Sequence, residues 1–547
     1  MSGGAIQLLQ RATAAMERRS FGEAVSLCEQ VIARYGEEPN ALMLLGLARM
    51  EADDTAGAIG LYERARQLMP EHIHVLTNLG AAYRAVGRLN DARNVLEEAL
   101  RIDRRHAIAQ NSLGNVLLDL GLRDDAKRAY ERAVAVQPAY AEPIAGLARI
   151  AEEEHRLDDA RRLADRALNV APQNVSAQLT RGKVQLRSDD ATTAAQSFKA
   201  LLGKPALSWT NTVMAQGHLG EAYERLGRFN DAFAAFSRAN QLLAHSAAGF
   251  ASDRSYLAPQ AIVRMTAFVA SLDAGKWEVT SAPPNPPVFL IGFPRSGTTL
   301  VDQILASHPQ VTTLEERDSL MEAGLALAGA DADFGRLAQL GEDEAERLRA
   351  GYWASVNAGL GGVPVRDVFV DKLPLNAVLL PVIHRLFPTA KIVLAVRDSR
   401  DCVLSCYQQR FGMNAAMFQL LRLETASAYY DAVMRLVQVC RAKLPIKVHE
   451  VRYEAVIGDF DTAVGSLLTF LELPWDDAVR SYAETAKRRV IATPSASQVV
   501  RPLYASSLGK WRNYRQFLEP VLPVLEPWVA AFGYEATSGL GVGPQAL

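Results

Sequence analysis

The chain predicts an all-α repeat array over residues 1–245, followed by an α/β domain with a central parallel sheet over residues 287–535. Three observations carry that prediction. Alanines recur at a fixed interval through the first half. Apolar strand-like runs alternate with helical patterns only in the second half. A length of 547 residues exceeds what one hydrophobic core organises.

Ala24, Ala58, Ala92, Ala126, Ala160 and Ala194 stand 34 residues apart, and Ala232 follows after 38. Gly46, Gly80, Gly114 and Gly182 share one phase, with Ala148 in the remaining position, and Pro70, Pro138 and Pro172 share another. Two helices that touch need a small residue at the contact, and proline cannot continue a helix. Leu79-Gly80, then Tyr83, a small residue mid-repeat and a closing proline are similar to the tetratricopeptide repeat (TPR). Seven units are legible. The resemblance implies antiparallel helix pairs stacked into a right-handed superhelix, a TPR solenoid whose concave face holds a protein or peptide partner. Support of the second domain, or homodimerisation, is the alternative use of such an array.

Residues 246–286 connect the halves. They contain a helical pattern over Pro259–Leu272 and run into Ser281-Ala-Pro-Pro-Asn-Pro-Pro287, a stiff polyproline-like spacer. Beyond it, strands are expected at Val288–Ile291, Val368–Val370, Lys391–Val396 and Ile446–Val451. Helices are expected at Thr298–Ser307, Asn376–Phe387, Ser399–Gln409 and Phe460–Leu471. An open parallel sheet binds ligands at the carboxyl ends of its strands. That rule gathers Arg295, Asp371, Lys372, Arg397, Asp398 and Tyr453 on one edge. Residues 536–547 are expected to form a flexible tail.

The loop after the first strand, Gly292-Phe-Pro-Arg-Ser-Gly-Thr-Thr299, leads straight into a helix. Such a turn aims backbone N–H groups and the positive end of the helix at an anion. Gly292 and Gly297 keep the four-residue gap of a nucleotide-binding P-loop, but Thr298 stands where a P-loop NTPase has its lysine. The loop's cation is Arg295. A site for β/γ-phosphates and magnesium wants the lysine; a site for a 5′-phosphate bearing another group does not. Pro294-Arg-Ser-Gly-Thr-Thr-Leu300 resembles the 5′-phosphosulfate loop of sulfotransferases, and His308-Pro309 extends the likeness to the branch containing the tyrosylprotein sulfotransferases.

That resemblance implies a P-loop-like sulfotransferase domain using 3′-phosphoadenosine 5′-phosphosulfate (PAPS) as donor, with adenosine 3′,5′-bisphosphate as product and no metal. It implies Arg295, Ser296, Gly297, Thr298 and Thr299 as donor contacts, with Arg295 also among the catalytic groups. Lys391-Ile-Val-Leu-Ala-Val-Arg397-Asp398, running on to Ser405, resembles the family's 3′-phosphate element. A doubly charged phosphate suits the rigid donor fork of Arg397. Tyr453, Ser495 and Lys510 match the nucleotide-covering positions of the tyrosylprotein branch. The resemblance covers roughly Pro287 to Tyr534.

Transfer to a phenol, whose pKa is about 10, needs a nearby base. Glu315 and Glu316 follow His308-Pro309, and the residues alone leave the choice between them open. The resemblance points to Glu316 as base and to Lys372 as the cation on the departing bridging oxygen. One departure matters. The tyrosylprotein branch carries an acceptor-site arginine two residues after the base, where this chain has Asp318 beside Arg317. The acceptor therefore stays open among a protein or peptide tyrosine, a glycan, a lipid and a small molecule. A non-catalytic scaffold that only binds the nucleotide is the reading from another class.

Lysine and arginine number 59 against 61 aspartate and glutamate, so no global field points to nucleic acid. Cys28, Cys402, Cys406 and Cys440 show no metal-ligand spacing and no disulfide framework, and the pair at 402 and 406 suits buried helical thiols. The N-terminal segment lacks a basic region followed by an apolar run, and no stretch suits a membrane span. The expectation is a cytoplasmic protein.

Overall fold

The computed structural model describes residues 3–205, 207–272, 280–488 and 508–535. Two compact units divide between Leu226 and Gly227.

The first unit is a succession of thirteen helices among the described residues, from Gly3–Glu17 to Trp209–Arg225. The glycine phase has a steric cause. A Cβ on Gly46 would meet the Tyr62 ring at 2.4 Å, one on Gly80 would meet Leu96 at 2.6 Å, and one on Gly182 would meet Phe198 at 2.6 Å. Each glycine thus lets one helix close on a large side chain of the next. The phased alanines from Ala24 to Ala194 are buried between the same helices. A second 34-residue phase escapes composition. Arg19, Asp53, Gly87, Gly121, His155 and Asp189 all hold positive φ, between 58° and 77°, at the turn inside each helix pair. Only two of these six are glycine, so the turn geometry is legible from the structure alone.

The second unit is built on five parallel strands: β1 Val288–Gly292, β2 Val311–Glu315, β3 Val368–Lys372, β4 Lys391–Val396 and β5 Lys447–Arg452. Their order is β2-β3-β1-β4-β5. β2 has no counterpart among the four expected strands. Val311, Thr312 and Thr313 are β-branched and favour a strand, but the run is only five residues long and ends at Glu315-Glu316, a pair that reads as a solvated turn. The helix expected at Asn376–Phe387 is split into a 3-10 segment, Pro374–Leu379, and an α-helix, Leu380–Leu386. Pro381 explains the break, because it offers no N–H to the preceding turn. Long helices at Glu342–Leu360 and Leu423–Lys443 complete the layers.

Val288, Leu290, Val370 and Val393 bury one face of the sheet against Leu300, Ile304, Leu467 and Leu468. Phe289 on the opposite face packs near Tyr352 and Phe387, with ring centroids 6.0 and 5.8 Å away. β1 lies between β3 and β4, so the loop after β1 opens where the sheet order reverses, the usual ligand position in such sheets.

The helix Phe229–Ser246 belongs to this second unit, and its Ala232 follows the repeat series after a step of 38 residues instead of 34. Phe233 stacks on Phe517 at 3.8 Å between centroids and on Tyr407 at 5.3 Å. Asn240 Nδ2 donates to the Tyr407 carbonyl at 2.9 Å. Among the described residues no helix is long and apolar enough to cross a membrane. The tail expected at 536–547 lies outside those residues.

Candidate active site

β1 delivers the chain into a loop with two left-handed residues, Arg295 at φ 69° and Gly297 at φ 100°. Gly297 also caps the helix Thr298–Ser307, whose first N–H groups have no intrahelical acceptor. Close approach dictates the glycines here. A Cβ on Gly292 would lie 2.6 Å from both the Ala395 carbonyl and Ser296 Oγ, and one on Gly297 would lie 2.7 Å from the Tyr453 ring. Thr298 and Thr299 are buried at the mouth of the helix. Ser296 Oγ is buried and has no hydrogen-bond partner among the described residues. A buried hydroxyl left so costs free energy unless a ligand supplies the partner.

Residues far apart in the chain meet at this loop. Arg295 Nε donates to Ser405 Oγ at 3.0 Å. Arg397, nearly fully buried, donates through Nη1 to the Arg295 carbonyl at 3.4 Å, and its guanidinium lies 4.9 Å from the centre of the Tyr453 ring. Lys510 Nζ donates to Gln408 Oε1 at 2.8 Å, just past the helix Ser399–Tyr407 that carries Ser405. Arg295, Ser405, Arg397, Tyr453 and Gly297 thus form one connected set, and Lys510 joins it through Gln408. Ser495 lies outside the described residues.

Asp401 was not singled out from the sequence, yet it anchors the segment Gly509–Trp511. Its two carboxylate oxygens accept from Gly509 N at 2.7 Å and Trp511 N at 2.8 Å, while Arg397 lies 3.8 Å away. Arg400 packs 4.0 Å over the Trp511 ring. An acid in the first turn of a helix is so common that no sequence signal separates this one. Cys402 and Cys406 are buried free thiols, as their spacing suggests, with Cys406 Sγ 3.1 Å from the Pro294 carbonyl.

At the ends of β2 and β3, Glu315 pairs in register with Lys372. Lys372 Nζ, wholly buried, donates to Glu315 Oε1 and Glu316 Oε1, each at 3.0 Å. The two glutamates differ in access: the Glu315 side chain is 9% exposed and that of Glu316 is 31%. Glu316 holds φ at 48°, and its N–H donates to the Lys372 carbonyl at 2.7 Å, so the chain turns out of the sheet there. Burial raises the Glu315 carboxyl above its ordinary range, Lys372 opposes the rise, and the charges of Asp302 and Glu316 add to it.

Asp371, the neighbour of Lys372, is completely buried and accepts from the Tyr352 hydroxyl at 3.0 Å. Burial pushes its carboxyl up to about 7. Between the unfolded value near 4 and that folded value, the folded state binds the extra proton, so stability falls as pH rises through this window. Asp371→Asn keeps an acceptor for Tyr352 and abolishes the titration. The variant is expected to gain thermal stability over the parent at pH 8, on the order of a few kcal/mol, and to gain little at pH 4. Melting curves at the two pH values check this, and an equal shift at both contradicts it.

Residues 286–477 match the sulfotransferase family. The second unit carries a sulfotransferase-family domain. Residues 37–105, 77–134 and 117–184 match the tetratricopeptide repeat, which makes the first unit a TPR array. An uncharacterised protein of Aquifex aeolicus (strain VF5) is 29% identical over 342 residues, a match spanning 60% of this chain and 44% of that protein. Protein-tyrosine sulfotransferase 1 of Danio rerio is 27% identical over 46% of this chain and 72% of its own length. The Homo sapiens protein of the same name is 27% identical over 46% of this chain and 70% of its own. The loop Gly292–Thr299 and the Glu316–Lys372 pair both lie within the matched residues.

Proposed function

We propose that this protein transfers the sulfo group of PAPS to a hydroxyl acceptor, and that the acceptor is a tyrosine on a protein or peptide held by the TPR array. The observation that carries the reading is the pairing of one half-exposed glutamate, Glu316, with a fully buried lysine, Lys372, at the sheet edge that also holds the Gly292–Thr299 loop.

The donor residues suit the nucleotide. Ser296 Oγ, the Thr298 and Thr299 hydroxyls and the N–H groups opening the helix Thr298–Ser307 would hold the 5′-phosphate. Arg397 and Ser405 would hold the 3′-phosphate, with Tyr453 and Lys510 closing over the nucleoside. PAPS, when bound, supplies the activated sulfo group. Glu316 takes the acceptor's proton, because its carboxylate reaches solvent while that of Glu315 is held inside. Lys372 and Arg295 would stabilise the negative charge left on the bridging oxygen of the 5′-phosphate as the sulfo group departs for the acceptor oxygen. The sheet edge fixes these groups before the acceptor arrives, so less of the barrier is spent on orientation.

Calorimetric titration tests the donor assignment. Adenosine 3′,5′-bisphosphate is expected to bind at micromolar or tighter affinity, with ATP and magnesium failing to compete. Arg295→Ala and Arg397→Ala should each weaken binding by roughly 1.5–3 kcal/mol, the usual magnitude for a charged hydrogen bond. Unchanged affinity in both variants overturns the assignment.

A further inference from the structure

The helix Ser399–Tyr407 carries more than Ser405. Its first turn holds Asp401, 2% exposed, and Gln408 stands just past its end. Both side chains grip one short piece of chain, Gly509–Trp511. Asp401 Oδ2 accepts from Gly509 N at 2.7 Å and Oδ1 accepts from Trp511 N at 2.8 Å. The residue between these two N–H groups is Lys510, whose Nζ donates to Gln408 Oε1 at 2.8 Å.

Only a carboxylate makes this grip. It offers one acceptor oxygen to each N–H group, whereas an amide offers one oxygen and turns its own NH2 on the other. Two further features hold the turn. Gly509 keeps φ at 66°, a left-handed value that glycine adopts without strain. Trp511 is 1% exposed, and the Arg400 guanidinium lies 4.0 Å over its ring. The backbone on either side of Lys510 is therefore fixed before any ligand arrives. A second route leads from Asp401 toward the nucleotide, because Arg397 Nη2 lies 3.8 Å from Asp401 Oδ2. That separation is too long for a hydrogen bond, so it leaves the direction of the guanidinium fork unset. The two short backbone contacts make the route through Lys510 the stronger.

We propose that Asp401 is a positioning residue for the nucleotide, and that it acts by holding the backbone on both sides of Lys510. The proposal rests on the donor assignment above, in which Lys510 closes over the nucleoside.

Calorimetry on the full chain with adenosine 3′,5′-bisphosphate tests this in a double-mutant cycle. Asp401→Asn and Lys510→Ala are each expected to weaken binding about tenfold, which corresponds to about 1.4 kcal/mol. The double variant should lose no more than about threefold beyond either, since the two residues act as one unit. A loss from Asp401→Asn that persists at full size in the Lys510→Ala background assigns Asp401 to Arg397 or to general stability, and overturns the proposal. Unchanged affinity in either single variant overturns it too. Should Asp401→Asn fail to fold, Gly509→Ala replaces it in the cycle. That change strains the left-handed turn beside Lys510, where a Cβ would meet the Arg512 guanidinium, and leaves Asp401 intact. Its loss of affinity should vanish in the Lys510→Ala background, and an equal loss there, or none in either background, overturns the proposal. If the parent chain binds no adenosine 3′,5′-bisphosphate, the donor assignment fails and the proposal falls with it. If the parent binds and the losses add, the donor assignment stands and the proposal alone fails.

Discussion

Glu316→Gln is expected to keep the affinity for adenosine 3′,5′-bisphosphate while turnover falls about a hundredfold or more, the usual magnitude for a lost general base. Glutamine preserves the shape of the side chain and an oxygen for Lys372, so the loss isolates proton transfer. Lys372→Ala should lower turnover to a similar degree but with a second signature. Lys372 is completely buried and holds Glu315, which is 9% exposed, so its removal strands a buried carboxylate. Breaking such a pair costs about 3–5 kcal/mol. Lys372→Ala should therefore lose melting temperature as well as rate, whereas Glu316→Gln loses rate alone. Single-turnover kinetics together with thermal melts separate the two. Should Glu315→Gln be crippled and Glu316→Gln remain near wild type, the buried glutamate is the base and the assignment shifts by one residue.

Truncation should produce the second large effect. A fragment beginning near Gly227 is expected to bind adenosine 3′,5′-bisphosphate as the full chain does, whereas one beginning near Pro259 should lose most of that affinity and melt at lower temperature. The proline-rich spacer suggests a cut near Pro259, but the packing argues otherwise. Removing Phe229–Ser246 strips Phe233 from Phe517 and Tyr407, and Ser237 and Asn240 from Tyr407. Tyr407 ends the helix that carries Ser405, and Gln408 beside it holds Lys510. Phe233 is partly buried, so its packing contributes less than the about 1.5–3 kcal/mol of a fully buried aromatic, but its loss would leave its partners facing water. The Gly227 fragment should still sulfate a short acceptor but lose activity on the native macromolecular one, since an array that held the acceptor would raise its effective concentration. Equal activity of fragment and full chain on that acceptor assigns the array another task, dimerisation first.

What was legible in the sequence depended on how local the signal was. The repeat helices announce themselves because each contact recurs 34 residues later, so Gly80 against Leu96 and Gly182 against Phe198 repeat one local event. The loop after β1 was readable for the same reason: strand, glycine-framed loop and helix opening lie close together in the chain, and Val288 to Ser307 folds as that pattern predicts. β2 was not readable. Its β-branched Val-Thr-Thr is a strand signal too short to stand alone beside two glutamates, and pairing with β3, more than fifty residues away, makes it a strand.

The sequence by itself thus determined the class of each half and the strand, loop and helix that follow one another from β1, because backbone periodicity and a short glycine-framed turn are encoded by neighbours in the chain. Tertiary structure alone decided which glutamate faces outward, since the register of Glu315 on Lys372 buries one and turns the other toward solvent. It also decided that Asp401 clamps Gly509 and Trp511, that Tyr256 holds Asp318, and that the helix Phe229–Ser246 packs with the sulfotransferase domain. Each of these joins residues at least 62 positions apart. A hydrogen bond or ring stack over that separation is fixed by the three-dimensional path of the chain, on which local composition has no purchase.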